Sequence, residues 1–178
     1  VEAAFHGLNS LDILINNVGV RNRGPIDAFT LDDFRALLDT NLIAAFDLSR
    51  RAAALMKKQR RGRIINVTSI AGNIARSGDA LYTASKAALT GLTRAMAAEF
   101  GPDAITVNAI APGYVATETN AAMVADPEIA KFLANRTALG RWADPEELAG
   151  AAVFLASGAA SYITGQVLTV DGGFTAHF

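Results

Sequence analysis

Short apolar runs rich in β-branched residues alternate along the chain with longer segments of helical periodicity. The apolar runs cover residues 11–17, 62–69, 105–110 and 165–170, and each is bounded by glycine, proline or polar residues. This pattern predicts four strands, of which the first two are buried. Strands that alternate with helices favour a parallel sheet whose two faces are both covered, with functional groups at the carboxyl ends of the strands.

The helical segments begin and end at recognisable signals. Thr30 and Asp33 have the spacing of a capping box, from which a long helix is predicted to run to about residue 58. A second long helix is predicted over residues 80–100, because Gly101-Pro102 terminates it. Shorter helices are predicted to begin after the N-cap residues Asp126 and Asp144, each of which precedes a proline.

The overall composition is that of one soluble α/β domain spanning residues 1–178, with no repeat or linker. The net charge is −1, from 16 basic and 17 acidic residues, which argues against general nucleic-acid binding. No apolar stretch approaches the length of a membrane span, and the first residues lack a basic flank, so a cytoplasmic protein is expected. Without cysteine, and with only His6 and His177, no metal site is predicted.

Candidate chemistry centres on Tyr82 and Lys86, which are four residues apart and therefore share one face of the predicted helix. An ammonium beside a phenol favours the phenolate and so lowers the pKa of the phenol, which suits a general acid/base. Ser69, at the end of a neighbouring strand, would hydrogen-bond the reacting oxygen. The pair alone is weak evidence, since Tyr and Lys often occur at this spacing by chance.

Several motifs in a fixed order make the sequence resemble the short-chain dehydrogenase/reductase family along essentially its whole length. They are residues 16–19 (Asn-Asn-Val-Gly), 40–42 (Thr-Asn-Leu), 62–69, Tyr82-x-x-x-Lys86, Asn108 with Pro112-Gly113, and Gly165-Gln166 with Asp171-Gly172-Gly173. The resemblance implies a three-layer, Rossmann-like fold and an NAD- or NADP-dependent exchange between a secondary alcohol and a ketone.

The resemblance also implies a role for each matching residue. Tyr82 would exchange a proton with the substrate, Ser69 would orient the substrate oxygen, and Lys86 would hold the nicotinamide ribose. Asn41 would anchor a water in a proton relay, although it could instead satisfy backbone groups at a helix kink. Further residues expected beside the cofactor are Asn16, Gly19, Pro112, Gly113, Val115 and Thr117. Pro112-Gly113 could also serve only to end the strand, and Thr117 could be only a turn or cap residue.

The sequence lacks the Gly-rich turn and the first strands that usually open this family. It begins in what resembles the helix before the family's fourth strand, so we expect a fragment, or the ordered remainder, of a longer enzyme. The strand at residues 11–16 would then become a sheet edge. Because the absent second strand normally selects between NAD and NADP, the choice of cofactor stays open.

The loop around Arg23 and a predicted substrate lid at residues 117–141 resemble the gluconate 5-dehydrogenases within the family. These enzymes interconvert gluconate and 5-ketogluconate, and Arg23 would contact the carboxylate unless it merely faces solvent. One alternative is a 3-oxoacyl-[acyl-carrier-protein] reductase, for which Arg76, Arg136 and Arg141 would bind the acidic carrier. Another is a non-catalytic oligomerisation remnant.

The resemblance further implies a homotetramer. The helices at residues 31–58 and 82–100 would pair between subunits, and the last strand would build another interface. The small and apolar residues assigned to the helical interface are Ala87, Ala88, Leu89, Leu92, Ala95 and Met96. No nucleic acid or membrane partner is expected, and the substrate would be a small hydroxy or keto compound.

Overall fold

The fold is built around one parallel sheet. The computed structural model describes residues 5–177. The strands of the sheet are β1 (Ile13–Asn16), β2 (Gly62–Val67), β3 (Ile105–Pro112) and β4 (Val167–Val170), in the order β1-β2-β3-β4. Every neighbouring pair is parallel. All four predicted strands are therefore present, with ends that differ by a few residues. The helix expected at the start of the chain involves residues 1–4, which lie outside the described part.

Helices connect the strands. They are α1 (Leu31–Leu38), α2 (Ala44–Gln59), α3 (Ala80–Phe100), α4 (Ala121–Val124), α5 (Pro127–Arg136) and α6 (Pro145–Ala156). A π-helical turn, Asp39–Ile43, separates α1 from α2, so the long helix predicted from residue 31 to about 58 is interrupted. The predicted caps form: Thr30 and Asp33 make a capping box on α1, and Asp126 caps α5. Asp144 and Glu147 make a second box on α6.

The two faces of the sheet bury separate apolar cores, as alternation along a strand requires. Ile64 packs with Met56 and Met96, from α2 and α3. Its neighbour Ile65 packs on the opposite face with Leu155 of α6. The predicted α/β architecture, with helices on both faces of a parallel sheet, is confirmed. Among residues 5–177, no helix combines the length and the apolar character needed to cross a bilayer.

Strand β1 lies at the edge of the sheet, as expected if the family's first strand is not beside it. Ile13 is 43% exposed and Ile15 is 45% exposed, whereas Val107 of β3 is fully buried. The prediction that β1 is a buried strand is therefore wrong for the described residues. An apolar strand is buried only where neighbours cover it, and here β2 pairs with it on one side alone.

Helix α3 packs on the sheet through some of the residues that were predicted to lie between subunits. Leu89 and Met96 are buried and belong to the interior of this chain, whereas Leu92 is only partly buried and packs against the same core. Assigning Leu89 and Met96 to an interface between subunits was wrong. The exposed side of the helix carries small residues instead, including Ala87 and Ala95.

Candidate active site

The carboxyl ends of the strands and the start of α3 surround a cavity of about 680 Å³. Ser69 and Gly113, which follow β2 and β3, line it together with Arg21 and Arg23 from the loop after β1. Residues of α4 and α5 also line it. This is the edge of a parallel sheet where ligands are expected to bind.

Lys86 lies on α3 with only 3% of its surface exposed. Its Nζ donates a hydrogen bond to the carbonyl oxygen of Val67 at 2.9 Å and lies 5.8 Å from the centre of the Tyr82 ring. Burial lowers the pKa of this amine from 10.5 to about 8, because the charged form loses hydration. The structure thus brings the predicted Tyr82 and Lys86 together.

Ser69 begins a short 3₁₀ turn, Ile70–Gly72, that packs directly on α3. Its hydroxyl oxygen accepts a hydrogen bond from the backbone N–H of Ala71 at 3.1 Å. Gly72 contacts the helix backbone so closely that an added Cβ would lie 3.0 Å from the carbonyl carbon of Lys86. The glycine therefore allows the turn bearing Ser69 to dock on the helix that carries Tyr82.

Asn41 projects from the π-helical turn and holds the loop that follows β1. Its Oδ1 accepts from the N–H of Val20 at 2.8 Å, and its Nδ2 donates to the carbonyl of Val20 at 2.9 Å. The same Nδ2 also lies 3.1 Å from the Ser85 hydroxyl. These contacts agree with the structural alternative for Asn41, in which the amide satisfies backbone groups beside a distorted helix.

Gly19 occupies the narrow space between Lys86 and Asn41. A Cβ at this position would lie 3.1 Å from the lysine Nζ and 3.5 Å from the Asn41 Oδ1. A residue without a side chain thus keeps the approach to the ammonium open.

Asn16 points into the interior, where its side chain belongs to a buried polar network. Its Nδ2 donates to the Ser49 hydroxyl at 3.0 Å and to the Asn66 Oδ1 at 2.8 Å, and Asn66 donates in turn to Thr93. The Asn16 Oδ1 is buried without a hydrogen-bond partner. The side-chain bonds of Asn16 therefore tie α2, β1 and β2 together.

The segment after β3 contains the other residues predicted beside the cofactor. Pro112 ends the strand, and the N–H of Gly113 donates to the carbonyl of Val170 at 3.0 Å. A Cβ on Gly113 would lie 2.7 Å from the Cβ of Asp171, so this position requires glycine. The carbonyl of Val115 accepts from the N–H of Thr117 at 2.9 Å. The Thr117 side chain makes no capping bond, although the residue precedes a 3₁₀ turn.

Two charged residues beside Tyr82 were missed in the sequence. Arg21 donates to both carboxylate oxygens of Asp79, with Nε 2.9 Å from Oδ1, and its guanidinium carbon lies 4.9 Å from the centre of the Tyr82 ring. The predicted Arg23 lies further out, with Nε 3.8 Å from Asp79 Oδ1 and Nη1 3.2 Å from the sulfur of Met123. An acid three residues before Tyr82 was the available signal, but its partner is 58 positions away.

Aromatic rings form part of the cavity wall. Tyr114 packs edge-on against Trp142 with ring centres 5.5 Å apart, and against Phe174 at 5.4 Å. Phe132 completes the group from α5. The cavity is therefore lined by both arginine and aromatic side chains.

Comparison with known proteins identifies the family of this chain. A family profile described as "Enoyl-(Acyl carrier protein) reductase" matches residues 1–175. The chain belongs to the short-chain dehydrogenase/reductase family. Members of this family are NAD(P)-dependent oxidoreductases, so the predicted family, enzyme class and cofactor class are confirmed.

Relatives within the family include a gluconate 5-dehydrogenase of Gluconobacter oxydans, 45% identical over 98% of this chain and 68% of its own length. A 3-oxoacyl-[acyl-carrier-protein] reductase of Synechocystis is 40% identical over 97% and 68% of the two lengths. A solved gluconate 5-dehydrogenase from Burkholderia cenocepacia, in complex with NADP and tartrate, superimposes with a TM-score of 0.93 at 41% identity. That alignment covers 99% of this chain and 69% of the other. The chain thus spans about two thirds of these relatives.

Proposed function

We propose that this chain provides the catalytic and substrate-binding side of an oxidoreductase that interconverts gluconate and 5-ketogluconate with NAD or NADP. One observation carries the proposal: Tyr82 and the buried Lys86 share one helix face, against which the turn of Ser69 is docked, beside an arginine-lined cavity. A phenol, an ammonium and a hydroxyl in this setting fit proton transfer to a carbonyl oxygen.

The residues around Lys86 fit a nicotinamide nucleotide. The ammonium has three N–H donors, and the structure shows one hydrogen bond from it, to Val67. The missing Cβ of Gly19 leaves open space beside the same nitrogen. Ribose hydroxyls are acceptors of the kind that the remaining donors would meet. We therefore propose Lys86 and Gly19 as cofactor contacts, with Asn16, Pro112, Gly113, Val115 and Thr117 as the surrounding residues.

In the direction of reduction, the phenol of Tyr82 donates a proton to the substrate oxygen. The Ser69 hydroxyl donates a hydrogen bond to that oxygen and so favours the charge that develops there. Positive charge on Lys86 stabilises negative charge left on the phenol. Asn41, by holding Val20, keeps the loop beside Gly19 in place, and its proposed role in a water relay is additional. When bound, NAD or NADP supplies or accepts the hydride.

The cavity favours a small hydroxy acid as substrate. Arg21, Arg23 and Arg76 provide cations, and guanidinium groups bind carboxylates well because two N–H donors can meet two oxygens. The aromatic wall offers apolar surface to the C–H groups of a sugar acid. The related solved enzyme binds tartrate, which is itself a hydroxy acid. Arg23 is proposed as one carboxylate contact.

A 3-oxoacyl-[acyl-carrier-protein] reductase is the second candidate, favoured by the 40% identical relative. Two of the three arginines assigned to the carrier are engaged within the chain, however. Arg141 makes a bidentate bond with Glu147, at 2.7 and 2.9 Å, and Arg136 donates to the backbone carbonyls of Phe174 and His177. This engagement supports the sugar acid over the carrier protein.

We also propose that the enzyme works as a homotetramer in the cytoplasm, where its nucleotide cofactor is available. Ile43, just before α2, and Phe46 within it are about half exposed, and the apolar residues Val153 and Phe154 of α6 are 68% and 40% exposed. Such patches support burial between subunits. Light scattering tests the oligomer, and a monomer at working concentration would contradict it.

The function is tested with protein expressed from the complete reading frame. We expect NADPH- or NADH-linked reduction of 5-ketogluconate with a far higher kcat/KM than for an acetoacetyl thioester. The reverse preference would favour the carrier-protein reductase. Calorimetric titration with NAD(H) and NADP(H) separates both enzymes from a non-catalytic remnant, for which no binding in the micromolar range is expected.

A further inference from the structure

An ion pair joins the loop after β1 to the start of α3, directly beside Tyr82. Arg21 makes its two hydrogen bonds to Asp79 side by side, which fixes the plane of the guanidinium as well as its position. The Asp79 side chain is only 2% exposed, whereas Arg21 is 34% exposed. The carboxylate is therefore the buried anchor, and the guanidinium faces the cavity.

The backbone around Arg21 is held independently. Asn41 bonds to both the N–H and the carbonyl of Val20, and the N–H of Gly24 donates to the carbonyl of Gly78 at 3.0 Å. These bonds fasten the loop on either side of Arg21. The Arg21 side chain is thus held at both ends, by its backbone and by the carboxylate of Asp79.

Positive charge exceeds negative charge at this place. Burial opposes ionisation of Asp79, but the hydrogen bond from Arg21 and the charges of Arg21, Arg23 and Arg76 outweigh it, so the pKa of Asp79 lies below its ordinary value. Four arginines line the cavity, Arg21, Arg23, Arg76 and Arg136, against two carboxylates, Asp79 and Glu128. An anionic group entering the cavity would balance the excess.

We propose that Arg21 contacts the anionic group of the substrate next to Tyr82, and that Asp79 is the positioning residue that aims it. The inference rests on the proposed function and adds its specificity determinants. Asp79 accepts two of the five N–H bonds of the guanidinium, and the others remain for a ligand. Because Arg21 also lies over the Tyr82 ring, it fixes how far a bound carboxylate stands from the phenol. Only substrates with the matching separation place their ketone at Tyr82.

A double-mutant cycle tests whether Asp79 acts through Arg21. In otherwise intact protein, Asp79→Asn should raise the KM for 5-ketogluconate about tenfold and change kcat less than about twofold, since a charge-assisted anchor is lost. In an Arg21→Met background, the same change should alter KM by less than about twofold. An equal effect in both backgrounds, or none in either, would overturn the proposal.

Asp103→Asn is the matched control, because Asp103 also pairs with two cations, Lys57 and Arg60, but at the opposite end of the sheet. It should leave KM unchanged. Thermal unfolding verifies that every variant is folded. If Arg21→Met fails to fold, the double variant Arg21→Gln/Asp79→Asn replaces it, because it removes both charges together. The KM of the double variant should equal or exceed that of Asp79→Asn. A lower KM would overturn the proposal.

A binding measurement without cofactor separates this inference from the proposed function. Trp142 is the only tryptophan in the 178-residue chain and lines the cavity, so its fluorescence reports on ligands there. Titration with gluconate should require about tenfold more ligand in Asp79→Asn than in the wild type or Asp103→Asn, with no such shift for uncharged glucitol. If the shift occurs but 5-ketogluconate is not reduced, the result supports the anion site at Arg21 and contradicts the proposed function. If reduction occurs and Asp79→Asn titrates like the wild type, the result contradicts the anion site and leaves the proposed function supported.

Discussion

The two ends of the parallel sheet hold their charged groups in different ways. At the amino end, Asp12 pairs with Arg61 at 2.6 Å, and both side chains are more than half exposed. At the carboxyl end, Asp79 and Lys86 are almost completely buried and are held by directional hydrogen bonds. Exposed pairs stay hydrated and contribute little to stability, whereas buried groups depend on every partner they have. Substitutions at the two ends should therefore have very different consequences.

Tyr82→Phe should give the largest difference between the ends. Removing the proton donor is expected to lower kcat by about a hundredfold to ten-thousandfold, while the free energy of unfolding changes by less than about 1 kcal/mol. Steady-state reduction of 5-ketogluconate and chemical denaturation measure the two quantities. A variant that keeps more than a tenth of wild-type kcat would remove Tyr82 from the mechanism.

Lys86→Met should change how stability depends on pH. Below pH 8 the lysine is protonated in both the folded and the unfolded chain. Between about 8 and 10.5 the folded chain loses the proton first, so the unfolded chain binds more protons and the free energy of unfolding rises with pH. Relative to Lys86→Met, the wild type should gain up to about 3 kcal/mol over this range. Denaturation curves at several pH values measure it, and parallel trends in both proteins would contradict the burial of the charge.

Gly19→Ala should lower activity about tenfold, because the new methyl group must displace the Lys86 ammonium by a few tenths of an ångström. Stability should change by less than about 1 kcal/mol, since the end of a lysine side chain can move. Gly150→Ala in α6 is the matched control, as nothing lies within 4 Å of its added Cβ. It should leave activity unchanged and raise stability slightly. Equal activities of the two variants would show that the space beside Lys86 is not needed.

Asp103→Asn, at the amino end, should have the smallest effect. Its partners Lys57 and Arg60 lie 3.4 Å away and are substantially exposed. The expected change in the free energy of unfolding is within about 0.5 kcal/mol, and it should shrink further at high salt. Thermal unfolding at low and high ionic strength measures it. A loss above 2 kcal/mol would mean that the two ends of the sheet do not differ as described.

Local patterns were sufficient for most of the fold. The strands follow from short apolar runs, and the starts of α1, α5 and α6 follow from capping residues within three positions of one another. The periodicity predicted one continuous helix here, and a kink at Asn41 was only the alternative role of that residue, because the contact beside the interruption joins Asn41 to Val20, 21 positions earlier. Periodicity likewise could not show which face of α3 packs on the sheet, so Leu89 and Met96 were misassigned.

The sequence by itself determined the order of strands and helices, and the spacing that puts Tyr82 and Lys86 on one helix face, since both depend on backbone geometry over a few residues. Only the tertiary structure decided that Arg21 lies on Asp79 and over Tyr82, and that Gly19 opens the space beside Lys86. These features join residues far apart in the chain. Their geometry is set by how helices pack on the sheet, which no local pattern encodes.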